Sequence, residues 1–473
     1  MEMRSTQALV IGGGVGGYVA AIRLGQLKIK PILVDKGALG GTCLNVGCIP
    51  SKAVITAAKL ADKARHAEAF GIKVSGVEVD MPRLIGWKDE IVKKLTGGVA
   101  TLVKGNGGEI LTGRASFRSA HDVEVMTETG PVSIHADNII IATGSVPIEI
   151  GAFPRDGHRV LDSADALALQ TVPARLLVIG GGYIGLELGT AMAKLGSKVT
   201  IVEAMDQVLP GFDPEVAKLL ERKLKKLGVE VVTRAKAKGF SEGPDGLIVG
   251  MDVDGTARTV QCDKILVTVG RKPFTSGLDL DAAGLKLDDR GFLPVNDQMQ
   301  TAVPGIYAIG DVVGNPMLAH KASREGEVAA EVIAGKAAAF DARVIPAVVF
   351  TDPEVATAGM SEEQARAAGK TVAVGKFPYA ALGRALTNQE TDGFCKAILD
   401  RDTGEILGVT IAGSNASDTI AEAALAIEMG ALWDDVALTI HAHPTLPEAL
   451  KEAVMAAHGE AIHVLNAPLP TLR

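Results

Sequence analysis

The feature that most constrains this chain is a unit that occurs twice. Residues 7–11 read as a short buried strand. Gly12, Gly14 and Gly17 then set the pattern G-x-G-x-x-G, residues 18–26 read as a helix, and residues 31–34 read as a second strand ending at Asp35. The same grammar returns as a strand over 175–179, Gly180, Gly182 and Gly185, a helix to Leu195, a strand over 198–202, and Glu203. Each copy spans 23 residues from first glycine to acid (12 to 35 and 180 to 203), and the copies are offset by 168. In such a turn the first glycine permits the tight bend, the second lets backbone approach a pyrophosphate, and the third lets helix and strand pack closely. The helix N-terminus offers free N–H groups and partial positive charge to phosphates. The terminal acid accepts hydrogen bonds from an adenosine ribose. One such turn alone is weak evidence, but two in register predict two Rossmann-like dinucleotide-binding domains in an α/β chain.

Two sites in one chain suggest two different dinucleotides, one resident and one used as substrate. The Glu203 carboxylate would repel a 2′-phosphate, and Ala204, Met205 and Asp206 offer no arginine to reverse that, so NAD is expected over NADP at the second site. The 473 residues suffice for about three domains at roughly 150 residues each. Gly is abundant, 55 of 473, consistent with many tight turns and close backbone approaches. A net charge of −8 without a long Lys/Arg run disfavours nucleic acid and anionic membranes. Aromatics at 4% disfavour a base-stacking surface. The start of the chain lacks the grammar of a secretory signal, and no run of 18 apolar residues appears. The four cysteines are too few for a disulfide framework, which points to a reducing compartment and a cytoplasmic location.

Further strands are expected over 138–142, leading to Thr143-Gly144, over 264–269, leading to Gly270, and over 306–309, leading to Gly310-Asp311. An acid at the carboxyl end of a sheet strand suits a sugar or ribityl hydroxyl, although a lone Gly-Asp is also a common turn. From about residue 345 the texture becomes α+β: strands over 346–350, 372–377, 394–399 and 406–411 in a meander, covered by helices over 418–429 and 446–458. The expected division is a first nucleotide domain over 1–149, a second over 150–272, a central part over 273–344 and a C-terminal domain over 345–473.

Cys43 and Cys48 precede a helical pattern. On a regular helix, five residues separate Cα atoms by roughly 8–9 Å, beyond the ~7 Å reach of a disulfide. A bridge therefore needs a broken helix. Gly47 tolerates unusual dihedrals, and Pro50 cannot donate to the carbonyl of Val46. So short a loop gains little stability from cross-linking, which favours a redox couple over a staple. Cys43, near a helix start, is expected to have its thiol pKa lowered by the dipole. Two inert thiols remain an alternative. A metal site would need a second Cys/His pair that the sequence lacks, so no metal is expected. Near the other end, His441 and His443 flank Ala442, followed by Pro444, Thr445 and Glu448. A turn could bring imidazole and carboxylate together as base and orienter.

The segment GGTCLNVGCIPSK resembles the active-site signature of the flavin disulfide reductases, the class I pyridine nucleotide-disulfide oxidoreductases. With GGGVGGYVAA before it and HAHPTLPEA near the end, the resemblance covers essentially the whole chain and is strongest to the dihydrolipoamide-oxidising branch. It implies that Gly12, Gly14, Gly17, Asp35, Thr42, Gly144, Asp311 and Ala319 contact FAD, with Asp35 standing where relatives often carry Glu. His320, beside Ala319, would approach the flavin ring. Gly180, Gly182, Tyr183, Gly185, Glu203 and Gly270 would contact NAD. Lys52 would lie by the flavin, paired with Glu187. Cys43 and Cys48 would form the redox disulfide, His443 would be the base and Glu448 its partner, with His441 in support. Pro447 replaces a small residue of the family pattern and could open the last helix as a first-turn proline.

The implied activity is oxidation of a protein-linked dihydrolipoyl group with reduction of NAD, within a 2-oxo acid dehydrogenase or glycine cleavage assembly. The implied partners are a lipoyl-bearing acyltransferase or carrier protein and a second copy of the chain, whose His443 faces these cysteines. Glu203 argues against the NADPH-dependent glutathione-reducing sister. No cysteine pair follows Cys395, as a mercuric reductase would normally have. A non-catalytic scaffold would need none of Cys43, Cys48 and His443.

Overall fold

The computed structural model describes residues 2–466. The described residues group into two compact units, 2–172 with 266–341 and 173–265 with 342–466.

The first unit is built on a seven-stranded sheet. Glu2–Ile11 lies between Pro31–Asp35 and Gly130–Ile141, parallel to both, and Ile306–Ala308 pairs parallel with Gly130–Ile141. These strands are near-continuous apolar runs because helices cover them. Ala8, Leu9 and Val10 have no exposed surface, nor do Leu33, Val34 and the stretch 139–141. The register aligns their carboxyl ends, with Ile11 opposite Val34 and Ile141, and Ala308 also opposite Ile141. Gly12 follows its strand, Asp35 ends its own, and Thr143-Gly144 and Gly310-Asp311 lie just past theirs, so all emerge along one edge. That edge is where open α/β sheets bind ligands. Gly130–Ile141 is much longer than the expected strand, because its first half pairs with an antiparallel ribbon, Asp122–Thr127 and Arg114–Phe117.

Two helices of the first unit touch through missing side chains. Val15–Gln26 packs on Ala319–Ile333, where a Cβ on Gly326 would lie 2.6 Å from the carbonyl oxygen of Gly16.

The second unit repeats the arrangement. Lys198–Val202 lies parallel between Arg175–Ile179 and Glu230–Val232, with Val202 opposite both Ile179 and Val232. Its C-terminal part is an antiparallel five-stranded sheet covered by Ala416–Glu428 and Glu448–His458. Gly375 gives the last helix its seat, since a Cβ there would lie 2.0 Å from the carbonyl oxygen of Ala453. The expected simple meander needs correction. Glu354–Gly359, unanticipated from sequence, inserts between Ala347–Val349 and Ile406–Gly413. Only Val372–Pro378, Phe394–Asp400 and Ile406–Gly413 run as a meander. The run EVATAG alternates weakly, and its alanines carry little of the apolar signal that marks a strand.

Candidate active site

The two glycine turns are nearly the same object. Gly12 and Gly180 both take left-handed backbone, with φ of 109° and 110°. A Cβ on Gly12 would lie 2.3 Å from the carbonyl oxygen of Ala142, and one on Gly17 would lie 1.8 Å from that of Gly12. Gly14 and Gly182 are the N-caps of Val15–Gln26 and Tyr183–Leu195, and neither helix start receives a side-chain cap. Their first N–H groups are thus presented by bare backbone, as pyrophosphate binding requires. A Cβ on Gly182 would meet nothing within 4 Å, and one on Gly14 only the Gly41 Cα at 3.9 Å. Gly185 lies buried inside the second helix, and Tyr183 stands at its first position, 41% exposed.

The terminal acids do more than wait for a ribose. Asp35 accepts from the Gly13 N–H at 2.6 Å and the Gly37 N–H at 2.8 Å. Glu203 accepts from Gly181 at 2.6 Å and from Met205 at 2.8 Å. Each carboxylate stitches its own glycine turn to the following loop, and the shorter Asp35 reaches as well as Glu203. Arg234 was invisible to a reading confined to the residues just after Glu203. Its backbone N–H bonds Met205 at 2.7 Å, while its guanidinium pairs with Asp254 at 3.1 Å.

The cysteines sit on either side of a helix break. Cys43 lies in Gly41–Val46, Cys48 opens Cys48–Arg65, and Gly47 between them has φ −132° and ψ −109°. A Cβ on Gly47 would lie 2.9 Å from the carbonyl oxygen of Thr42. The two sulfurs are not joined in a disulfide here, and Cys43 is half-buried and Cys48 exposed. The expected lowering of the Cys43 pKa is overturned. Its thiol is held well above the ordinary range, first by its hydrogen bond with Cys48, then by burial and the charge of a Cys48 thiolate, with Lys52 opposing. Contact with Cys48 and burial therefore outweigh any benefit of the third position in a six-residue helix. Thr42 is exposed beside Cys43, and Lys52 lies one turn beyond Cys48.

Asn45 was not anticipated. Its amide donates to the carbonyls of Leu39 at 3.0 Å and Gly41 at 2.9 Å, fixing the loop that carries Gly41 against Gly14. The only sequence signal was an amide inside a short helix.

At the sheet edge, Asp311 accepts from the Ser145 hydroxyl, whose oxygen in turn accepts from Arg271 Nε at 2.8 Å. Gly144 has φ 73°, and a Cβ there would meet nothing within 4 Å. Ala319 and His320 begin their helix directly after Leu318. Gly270 lies in the first unit with φ 118°, its carbonyl accepting from the Ile148 N–H at 3.0 Å.

In the second unit, His443 Nδ1 meets Glu448 Oε1 at 2.9 Å, and the Thr445 N–H donates to Oε2 at 2.7 Å. Burial alone would raise the Glu448 carboxyl, but Thr445, His443 and His441 together hold it below its ordinary range. The His443 side chain is 78% exposed and that of His441 only 6%. Both ring nitrogens of His441 are engaged, by Glu422 at 2.8 Å and the Thr439 carbonyl at 3.1 Å. Of the two, only His443 presents an accessible ring. Pro447 is the N-cap of the last helix, one position earlier than a first-turn proline. A pair missed in the sequence follows one turn along that helix, where Glu452 holds His463 Nδ1 at 2.8 Å. Glu187 is buried on the second nucleotide helix and accepts from the Phe350 N–H at 2.9 Å. Cys262 and Cys395 are buried singly, and burial pushes the Cys262 thiol up to about 12. Among the described residues, no three His, Cys, Asp or Glu side chains gather where they could hold a metal ion.

A family model described as pyridine nucleotide-disulphide oxidoreductase matches residues 6–326, and the dimerisation domain of the same family matches residues 345–454. The chain belongs to this family. Among curated pyridine nucleotide-disulphide oxidoreductases it is 52% identical over 461 residues to the dihydrolipoyl dehydrogenase of Geobacillus stearothermophilus, covering 98% of each chain. It is 50% identical over 462 residues to that of Bacillus subtilis, with the same coverage. Among solved structures, LpdA from Mycobacterium tuberculosis superposes with a TM-score of 0.89 at 28% identity, covering 95% of this chain and 99% of that one. The fold is two Rossmann-like domains followed by an α+β dimerisation domain, and the protein is a homodimer. Its cofactors are FAD and NAD. The uncapped helix starts, the open space at Gly182 and the carboxylate at each second strand fit two dinucleotides. Among the described residues no helix is long and apolar enough to cross a membrane.

Proposed function

We propose that this oxidoreductase is a dihydrolipoyl dehydrogenase that oxidises protein-bound dihydrolipoamide and reduces NAD. The observation that carries the reading is the pairing of Cys43 with Cys48 across the Gly47 break, directly after the first nucleotide turn. Relatives of about half-identical sequence named for that activity support it.

In this reading Cys43 and Cys48 start each cycle joined. His443, oriented through Nδ1 by Glu448, takes the proton of one substrate thiol on its exposed side. The resulting thiolate attacks Cys43 Sγ, the Cys43–Cys48 bond breaks, and Cys48 leaves as a thiolate. The helix start and Lys52 favour that charge. The second substrate thiolate then displaces Cys43, so the substrate leaves as a disulfide two electrons poorer and the enzyme holds the dithiol. FAD, when bound, would supply the route by which that electron pair passes on to NAD as a hydride. Asp35 and the glycines Gly12, Gly14 and Gly17 hold its adenosine end. Thr42, Gly144, Asp311, Ala319 and His320 hold the rest. Gly180, Gly182, Tyr183, Gly185 and Glu203 bind NAD, and Lys52 lies by the flavin.

His443 of the partner subunit serves the cysteines of each chain. The exposed apolar residues Leu425, Met429, Leu438 and Ile440, in the stretch that leads to His441, suit a surface covered by that partner. The further partner is a lipoyl-bearing acyltransferase or carrier protein, and the location is cytoplasmic. The four-part division at residues 149, 272 and 344 describes the functional segments.

The test mixes the purified flavoprotein with dihydrolipoamide and NAD. The account expects NADH formation that Cys48→Ser abolishes. Turnover with NADPH and glutathione disulfide instead would overturn it.

A further inference from the structure

A buried ion pair in the first unit has no part in the chemistry above. Lys321 and Glu325 lie one helical turn apart on Ala319–Ile333, with Nζ 2.8 Å from Oε1 and side chains 7% and 3% exposed. Such a pair is expensive to desolvate, and a well-packed apolar pair is often as stable or more so. Stability is therefore a poor reason for its presence.

What the pair touches suggests another. The second Glu325 oxygen, Oε2, accepts from the Gly310 N–H at 2.6 Å, and Lys321 Nζ also donates to the Gly314 carbonyl at 3.3 Å. Gly310 and Gly314 bracket the turn that carries Asp311, and Gly310 is in left-handed backbone with φ 79°. The same helix is seated on Val15–Gln26 through Gly326 and Gly16. One rigid element thus connects the pyrophosphate turn at Gly12–Gly17 with the Asp311 turn.

We propose that Glu325, with Lys321 as its buried counter-charge, is a positioning residue that sets the Asp311 carboxylate at a fixed distance from the first glycine turn, so that both ends of FAD are met at once. Ser145 holds the carboxylate, and Glu325 holds the backbone beneath it through the Gly310 N–H. The proposal rests on the reading of Asp311 as an acceptor for the FAD ribityl chain.

The experiment strips FAD from the protein and titrates it back into the apo-form by flavin fluorescence. Lys321→Met with Glu325→Leu removes both charges and the hold on Gly310. Its apo-protein should melt within about 4 °C of the parent while binding FAD at least about tenfold more weakly. Lys321→Met with Glu325→Gln keeps an acceptor for Gly310 and should stay within about threefold. Asp311→Ala, run in parallel, should lose FAD affinity. If it does not, the reading of Asp311 fails and the proposal with it. If it does, but the Met/Leu variant binds FAD like the parent or no worse than the Met/Gln variant, the positioning role is overturned. Should the Met/Leu variant not fold, the Met/Gln variant decides alone, and a tenfold loss there contradicts the proposal.

Discussion

The two nucleotide turns share backbone angles, carboxylate contacts and spacing, yet their surroundings differ. At the first turn the loop before the cysteines presses in, so that a Cβ on Gly41 would lie 2.6 Å from the Gly14 Cα. Its helix is also locked to Ala319–Ile333 by two glycines in contact. At the second turn the Gly182 position faces open space. The same motif is therefore used as an enclosed seat in one copy and as an open dock in the other. A resident cofactor needs the former, and a substrate that must enter and leave on each cycle needs the latter.

The comparison breaks most visibly at the glycines. Gly12→Ala combines left-handed backbone with a collision at the Ala142 carbonyl. It should cost about 3 kcal/mol or more and yield protein without flavin, as read by absorbance after purification. Gly182→Ala has ordinary backbone and open space, so it should fold and keep FAD while raising KM for NAD, because the new methyl occupies the pyrophosphate's place. Flavin retained in Gly12→Ala, or an unchanged KM for NAD in Gly182→Ala, would contradict these assignments.

Next in size is Glu203→Ala. Losing a charged acceptor costs about 1.5–3 kcal/mol, so preference for NAD over NADP should fall ten- to a hundredfold in steady-state assays. Adding Asp254→Ala releases Arg234 and should move preference further toward NADP. An unchanged NAD preference would remove Glu203 from the site.

The smallest effect is expected from Asn45→Ala, which loosens the loop over the first turn. With about 1 kcal/mol of hydrogen bonding lost, FAD should dissociate several-fold faster while KM for NAD stays put. A change in NAD binding alone would contradict the enclosed-seat reading.

Much of this was legible because local chemistry dictates it. Arg175–Ile179 and Lys198–Val202 coincide with the expected strands, since buried parallel strands are unbroken apolar runs. Gly47 and Pro50 announced a break between the cysteines. Other features depend on residues far apart in sequence. Arg234 reaches Met205 only through sheet pairing, and the hold of Glu325 on Gly310 requires the helix to return under the sheet edge. The Cys43 pKa was misjudged because the contact with Cys48 and the burial that raise it exist only in the folded site. Glu354–Gly359 escaped notice because alanine and glycine give a strand little apolar alternation.

The most direct test counts thiols. The chain has four cysteines, and the account requires that Cys43 and Cys48 be joined in the oxidised flavoprotein. Denatured without reductant, that protein should titrate only Cys262 and Cys395. After anaerobic treatment with one equivalent of dihydrolipoamide and removal of small thiols, all four should react. Four reactive thiols before treatment, or only two after it, would contradict the account.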